Sequence, residues 1–339
     1  MSPLLSVTDL AVRFATNDGQ VTAVDGLNFT LERAKTLAIV GESGSGKSVT
    51  SLSILGLHDP RRTTVTGSIT LDGTELVGAA EKDMRQVRGR RIAMIFQDPL
   101  TALSPHYTVG EQLADAYRRH TGRTRAEARR RAVDMLARVG IPQPQLRADS
   151  YAHQFSGGMR QRAVIAMALM CEPDILIADE PTTALDVTVQ AQILDLFAEI
   201  QRDLGTAIVF ITHDLGVVAE TADDVLVMYA GRAVERGTVR EVLGSPQHPY
   251  TCGLLASVPR LDSDPDADLQ PIEGSPPDLL NLPPGCPFAP RCRHTDLVGE
   301  QCRTQPPALL SVGHAAACHL PLVTQKRLFT DQLNARSSA

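Results

Sequence analysis

The segment Gly41-Glu42-Ser43-Gly44-Ser45-Gly46-Lys47-Ser48 follows the short apolar run 36–40 and opens a stretch of helical character. Residue types in that order capture anions. Glycines let backbone N–H groups turn inward around a phosphate, a helix N-terminus adds partial positive charge, a lysine reaches the outer phosphates and a hydroxyl ligates Mg2+. Lys47 and Ser48 stand at the lysine and hydroxyl positions, with Gly41, Ser43, Gly44, Ser45 and Gly46 as the cradle. Two further groups end apolar runs. Asp179-Glu180 closes the run 175–178, where one carboxylate can hold Mg2+ and the next can polarise a water, or where both simply cap the following turn. His213 closes the run 207–211, a position at which a histidine is also an ordinary strand-edge residue.

Strands must carry these groups. Alternation over 6–14, the turn signal Asp72-Gly73 after 68–71, and apolar runs at 36–40, 92–96, 175–178, 207–211 and 225–229 predict strands. The run 92–96 is apolar throughout and reads as a central strand. Helical character fills 100–168, with the capping-box pairs Thr108/Glu111 and Thr124/Glu127, and Gly140 with Pro142 closing the second helix. A further helix is expected over 188–204. Strands alternating with helices give an α/β fold with a mostly parallel, covered sheet and an inserted helical segment. After Ser257 the composition shifts: eight of the 22 prolines fall between 259 and 287, so a boundary is placed there, separating 1–258 from 259–339.

Composition excludes several classes. With 339 residues, 43% hydrophobic and 21% charged, the chain is an ordinary globular protein. A net charge of -6 argues against a protein built to neutralise nucleic-acid phosphates, and the basic group Arg123, Arg125, Arg129, Arg130 and Arg131 reads as a solvated helix face. The longest apolar run, 163–171, is about half the ~18 residues that a spanning helix needs, and no secretory signal opens the chain, so a cytosolic setting is expected. Four of the six cysteines, Cys286, Cys292, Cys302 and Cys318, crowd the last part of the chain at spacings of five, nine and fifteen intervening residues, unlike zinc-finger pairs. Four thiolates suit a [4Fe–4S] cluster; zinc with His314 or His319, and four free thiols, stay open. Cys171 and Cys252 sit in apolar helical contexts and read as core.

Over residues 4–258 the chain resembles the ATP-hydrolysing subunits of ABC transporters. The phosphate loop is followed in family order by Gln97, by the signature segment Phe155-Ser156-Gly157-Gly158-Met159, by the Walker B run into Asp179-Glu180, by Ala184-Leu185-Asp186, which is like the D-loop, and by His213, which is like the switch histidine. The resemblance implies a P-loop NTPase core of ABC type with an inserted helical subdomain, ATP and Mg2+ as ligands, Glu180 as the group that polarises water, and Asp179, Gln97 and Ser48 near Mg2+. It implies γ-phosphate contact by His213 and adenine stacking by Phe14, which as a strand aromatic also reads as core. Ser156, Gly157 and Gly158 would serve the nucleotide of a second subunit, so dimerisation follows, and Asp186 is expected among the nucleotide-binding residues.

Asp98 to Gln112, Tyr151 to Arg162, Asp186-Val187-Thr188-Val189-Gln190 and His248-Pro249-Tyr250-Thr251 resemble the peptide and nickel importer ATPases. Cys286-Pro287-Phe288 with Pro290-Arg291-Cys292 resembles the C-terminal segment of dipeptide and oligopeptide importer ATPases, some of which carry an iron–sulfur cluster. That subfamily implies a subunit on the cytoplasmic face of the membrane, working with two permease subunits, a related and non-identical ATPase and an extracytoplasmic peptide-binding protein. Nickel import, and a soluble ABC ATPase uncoupled from transport, are the alternatives.

Overall fold

A computed structural model describes residues 2–98, 102–183, 185–257, 272–309 and 313–337. The expected boundary after Ser257 and Ala184 of the D-loop-like segment fall at or within stretches outside the described residues. In chain order the strands are β1 (Leu5–Thr16), β2 (Gly19–Leu31), β3 (Thr36–Val40), β4 (Thr63–Leu71), β5 (Thr74–Glu75), β6 (Ile92–Ile95), β7 (Ile175–Asp179), β8 (Ala207–Thr212), β9 (Asp224–Tyr229), β10 (Arg232–Thr238) and β11 (Ala315–Ala316). The chain forms two compact units: residues 1–4, 31–36 and 72–211 in one, and 5–30, 37–71 and 212–339 in the other.

In the first unit β6, β7 and β8 run parallel, with Ile95 beside Ala178 and Asp179 beside Ile211. β7 is buried along its whole length, as a strand covered on both faces must be, and its residues Ile175, Leu176, Ile177 and Ala178 carry no polar side chain. The expectation that 92–96 is a central strand is corrected: β6 is the last strand of the sheet, and its apolar character is accounted for by the helix Gly157–Ala168 packed against it. Phe96, beyond the strand, is 46% exposed.

The helices Val109–Thr121 and Arg125–Arg138 pack together in the same unit. Each begins with a complete capping box, Thr108 with Glu111 and Thr124 with Glu127, so the first-turn N–H groups are satisfied before tertiary packing is considered. Leu113, Ala128, Ala132 and Leu136 are fully buried on their inner faces. The basic outer face is paired with acids: Arg123 with Glu127, Arg129 with Asp149 and Arg131 with Glu172. Cys171 corrects a second expectation. The preceding helix stops at Ala168, and Cys171 sits half-buried in the turn beyond it, whereas Cys252 is buried in the helix Pro249–Ala256.

In the second unit β1 lies between β2 and β4, pairing with β4 antiparallel from Leu5 beside Leu71 to Phe14 beside Thr63 with an irregularity between Thr8 and Ala11. A second set of strands runs in the order β11-β10-β9-β3, with β3 parallel to β9. Val40, Val225, Val227 and Tyr229 from these strands form one core with Tyr250, Cys286 and Phe288. The segment after residue 271 therefore contributes apolar side chains to the core that β3 and β9 supply. Among the described residues no helix is long and apolar enough to cross a membrane.

Candidate functional site

The phosphate loop lies wholly in the second unit. β3 delivers the chain to Gly41, and Gly46 starts the helix Lys47–Ile54 in a left-handed conformation at φ 101. A Cβ at Gly46 would stand 2.6 Å from the Ala23 carbonyl oxygen, and one at Gly41 would meet the Met228 carbonyl, so the backbone path requires both glycines. No side chain caps the N-terminus of this helix, and the Ser45 hydroxyl is buried without a hydrogen-bond partner. An uncapped helix start beside an unsatisfied buried hydroxyl fits an anion that would accept from both. Lys47 is 7% exposed, and its ammonium donates to the carbonyls of Gly41 at 2.7 Å and Glu42 at 2.9 Å. Those weak acceptors hold it inside the loop, where an incoming phosphate offers a stronger one.

Glu42 is the residue in the loop that the motif leaves unassigned. Its N–H donates to the Tyr250 hydroxyl at 2.8 Å, and its carboxylate accepts from Arg291. Phe14 is half-buried on β1, edge-on to His58 with ring centroids 5.5 Å apart. His213, also in this unit, follows β8 and is exposed.

The first unit holds the acidic pair. Asp179 ends β7 and is 5% exposed, while Glu180 turns the chain at φ 48 and donates its N–H to the Ile211 carbonyl at 2.8 Å. The Glu180 carboxylate accepts from Gln97 Nε2 and from Thr183 Oγ1, each at 3.0 Å. Gln97 and Glu180 are thus brought together; Thr183 is a partner that sequence reasoning missed, although its spacing three residues after Glu180 is that of a turn hydroxyl. Gln161, buried in the helix Gly157–Ala168, donates to the Pro181 carbonyl at 2.6 Å and ties the same turn to that helix.

Ser156 is the N-cap of the helix Gly157–Ala168, its hydroxyl accepting from the Met159 N–H, and a Cβ on Gly157 would meet nothing within 4 Å. The chain at Gly157 therefore faces open space. Gly158 lies against Val189. Asp186 caps the helix Val187–Leu204 by accepting from the Val189 N–H.

Cys286, Cys292, Cys302 and Cys318 fall within electrostatic reach of one another. Burial pushes the Cys286 thiol up to about 11 and the Cys318 thiol up to about 12, so both are neutral thiols at neutral pH. Among the described residues no three His, Cys, Asp or Glu side chains are grouped so as to hold a metal ion. Cys286 and Cys302 are buried, Cys292 and Cys318 are half-buried, and the four thiols are neighbours of one another.

These elements define a mixed α/β nucleoside triphosphatase of the P-loop kind. The chain belongs to the ABC transporter ATPase family: it matches the ABC transporter family over residues 24–183 and the oligopeptide/dipeptide transporter C-terminal region over 234–302. It is 57% identical to the dipeptide transport ATP-binding protein DppD of Bacillus subtilis over 302 residues, which cover 89% of this chain and 90% of that protein. It is 53% identical to the oligopeptide transport ATP-binding protein OppD of Salmonella typhimurium, covering 94% of each. Among solved structures it is similar to cbiO1 of Clostridium perfringens, part of an ABC transporter complex, with a TM-score of 0.61 and 30% identity over 72% of this chain and 92% of that one. A similar likeness, TM-score 0.62 and 25% identity over 70% of this chain and 99% of the other, links it to the ATP-binding cassette MJ0796 in a dimeric post-hydrolysis state bound to ADP and Pi.

Proposed function

We propose that this chain is the ATP-hydrolysing subunit of an importer that drives di- and oligopeptides across the cytoplasmic membrane. The observation that carries the reading is the likeness, at 57% identity along nearly the whole chain, to a dipeptide transport ATP-binding protein, extending into the peptide-transporter C-terminal region. The chain works at the cytoplasmic face with two permease subunits, an extracytoplasmic peptide-binding protein and a second ABC ATPase, related and non-identical. Residues 1–258 form the nucleotide-binding domain with the helical subdomain at 100–168, and 259–339 form the peptide-importer extension.

Phosphoryl transfer to water needs positioning and charge neutralisation more than covalent chemistry. Lys47 leaves the Gly41 and Glu42 carbonyls for the β- and γ-phosphates of ATP, and the N–H groups of Gly44, Ser45 and Gly46 close on the phosphates. Phe14 stacks on adenine. Ser48, Asp179 and Gln97 present the hard oxygen donors that Mg2+ prefers; the ion, when bound, neutralises charge that develops on the transferred group. Glu180, oriented by Gln97 and Thr183, takes a hydrogen bond from the attacking water, and His213 contacts the γ-phosphate. Ser156, Gly157 and Gly158 face the nucleotide of the second subunit across the dimer, and Asp186 is among the nucleotide-binding residues.

In the finer reading the four cysteines of the extension bind a [4Fe–4S] cluster. The soft donor set and the mutual approach of the thiols support it, and binding would require each thiol to lose its proton. Anaerobically purified protein is expected to show a ~420 nm shoulder and about four irons per chain; colourless protein loaded with zinc contradicts the cluster.

Uptake of labelled di-, tri- and pentapeptides tests the function, in cells lacking this chain and complemented with the native sequence or with Glu180→Gln. Uptake restored by the native chain alone is the expected result. Restored nickel accumulation without peptide uptake contradicts it.

A further inference from the structure

Glu42 and Arg291 are separated by 249 positions, yet they form a two-pronged ion pair: Nη1 to Oε2 at 2.6 Å and Nη2 to Oε1 at 3.1 Å. The Arg291 side chain is 5% exposed and that of Glu42 25%. A guanidinium presents five N–H donors in a rigid plane, and here the remaining capacity is also used. Nε donates to the Glu273 carbonyl at 2.9 Å, Nη2 to the carbonyls of Ile272 and Gly274, and Nη1 to the Tyr229 hydroxyl at 3.3 Å. Arg291 is therefore immobilised by the segment 272–274 and by β9 before it reaches Glu42.

Glu42 in turn is held at every polar group. Tyr250 takes its N–H, Arg291 its carboxylate, and its carbonyl accepts from Lys47 Nζ at 2.9 Å and from the Ser45 N–H at 3.2 Å. Tyr250 and Tyr229 are packed on each other, ring centroids 4.6 Å apart, and both lie against Phe288 of the extension. The chain of contacts runs from residues 288–291 into the loop that carries the phosphate-binding lysine.

We infer that Arg291 is a positioning residue for the phosphate loop, so that the C-terminal extension of this chain sets its own affinity for ATP. The inference goes beyond the transport reading and needs only the assignment of the loop to nucleotide. Arg291 touches no phosphate; it fixes the conformation of Glu42, and through the Glu42 carbonyl the resting position of Lys47. An unfixed loop must be ordered by the nucleotide itself, which lowers affinity without altering the group that activates water. Movement of the 286–292 segment then becomes movement of the loop.

The full-length chain is compared with Arg291→Met, Arg291→Lys, Glu42→Gln and the double variant Arg291→Met/Glu42→Gln, with Lys47→Ala as the reference for lost binding. ATP affinity, KM and kcat are measured. Arg291→Met and the near-isosteric Glu42→Gln are each expected to weaken ATP binding about tenfold, with kcat at saturating ATP held within about twofold. The double variant is expected to be no weaker than either single one, because both remove the same link. Arg291→Lys keeps the charge but not the fork, and is expected to recover part of the affinity. Affinity unchanged in Glu42→Gln and Arg291→Met, in a chain whose binding Lys47→Ala abolishes, overturns the inference even if melting temperature falls. ATP binding that survives Lys47→Ala overturns the loop assignment as well.

Discussion

Gln97 and Glu180, 83 positions apart, meet through a hydrogen bond of 3.0 Å from Nε2 to Oε2, and Thr183 Oγ1 shares the same carboxylate oxygen. Two neutral donors converging on one oxygen fix the orientation of the carboxylate. Glu180 adopts φ 48 directly after a fully buried strand, a left-handed conformation that the surrounding turn has to enforce.

Thr183→Val removes one donor and keeps the shape of the side chain. The kcat for ATP hydrolysis is expected to fall about tenfold, since a hydrogen bond to a charged group contributes ~1.5 kcal/mol. Nucleotide affinity should stay the same. Steady-state phosphate release, with binding measured separately, checks both; a loss of affinity with kcat preserved contradicts the assignment.

Lys47→Ala takes away the ammonium that the loop holds among its own carbonyls. ATP affinity is expected to drop by at least about tenfold, the range of a charge-assisted contact to phosphate. Fluorescent-nucleotide titration reads it directly.

His248 is buried, and its desolvation lowers its pKa to about 4, against an opposing pull from Glu235 and the Ala317 carbonyl. Its Nδ1 accepts from the Tyr250 N–H, which fixes the neutral tautomer. The unfolded chain takes up the proton near pH 6.5 and the folded chain only near 4, so stability rises with pH across that window. As pH falls from 6.5 to 4, unfolding free energy should drop by at most about 3 kcal/mol from this group. Urea unfolding at intervals across the window, for native chain and His248→Gln, tests it; equal slopes for the two contradict the assignment.

Phe288 joins the core of the second unit, edge-on to Tyr229 and 5.4 Å from the Tyr250 ring. Phe288→Ala is expected to cost about 3–5 kcal/mol, the usual figure for truncating a buried phenyl. Leu297→Ala, at a side chain 67% exposed, should cost almost nothing. Denaturant unfolding of both variants decides whether the extension shares that core.

Local chemistry was what the sequence displayed. The loop 41–48, the strand-end carboxylates and both capping boxes depend on residues within a few positions of one another, and the helices Val109–Thr121 and Arg125–Arg138 start where Thr108 and Thr124 place them. Pairing between distant segments was hidden. The antiparallel partner of β1 and the edge position of β6 depend on registry and covering helices that no run of apolar residues encodes. Arg291 shows the limit most clearly. Between Cys286 and Cys292 it reads as part of a phrase that resembles the C-terminal segment of peptide importer ATPases, and only the fold carries it to Glu42. The cysteines show the converse: Cys286, Cys292, Cys302 and Cys318 lie up to 32 positions apart, and their crowding in sequence is matched by their proximity in the fold.

The central claim, that this chain turns over ATP through Glu180, is tested most directly by Glu180→Gln in single-turnover phosphate release alongside ATP binding. The amide keeps the shape and loses the charge that draws a proton from water. Binding within about threefold of the native chain, with release slowed at least about 100-fold, is the predicted result. Release at the native rate contradicts the account.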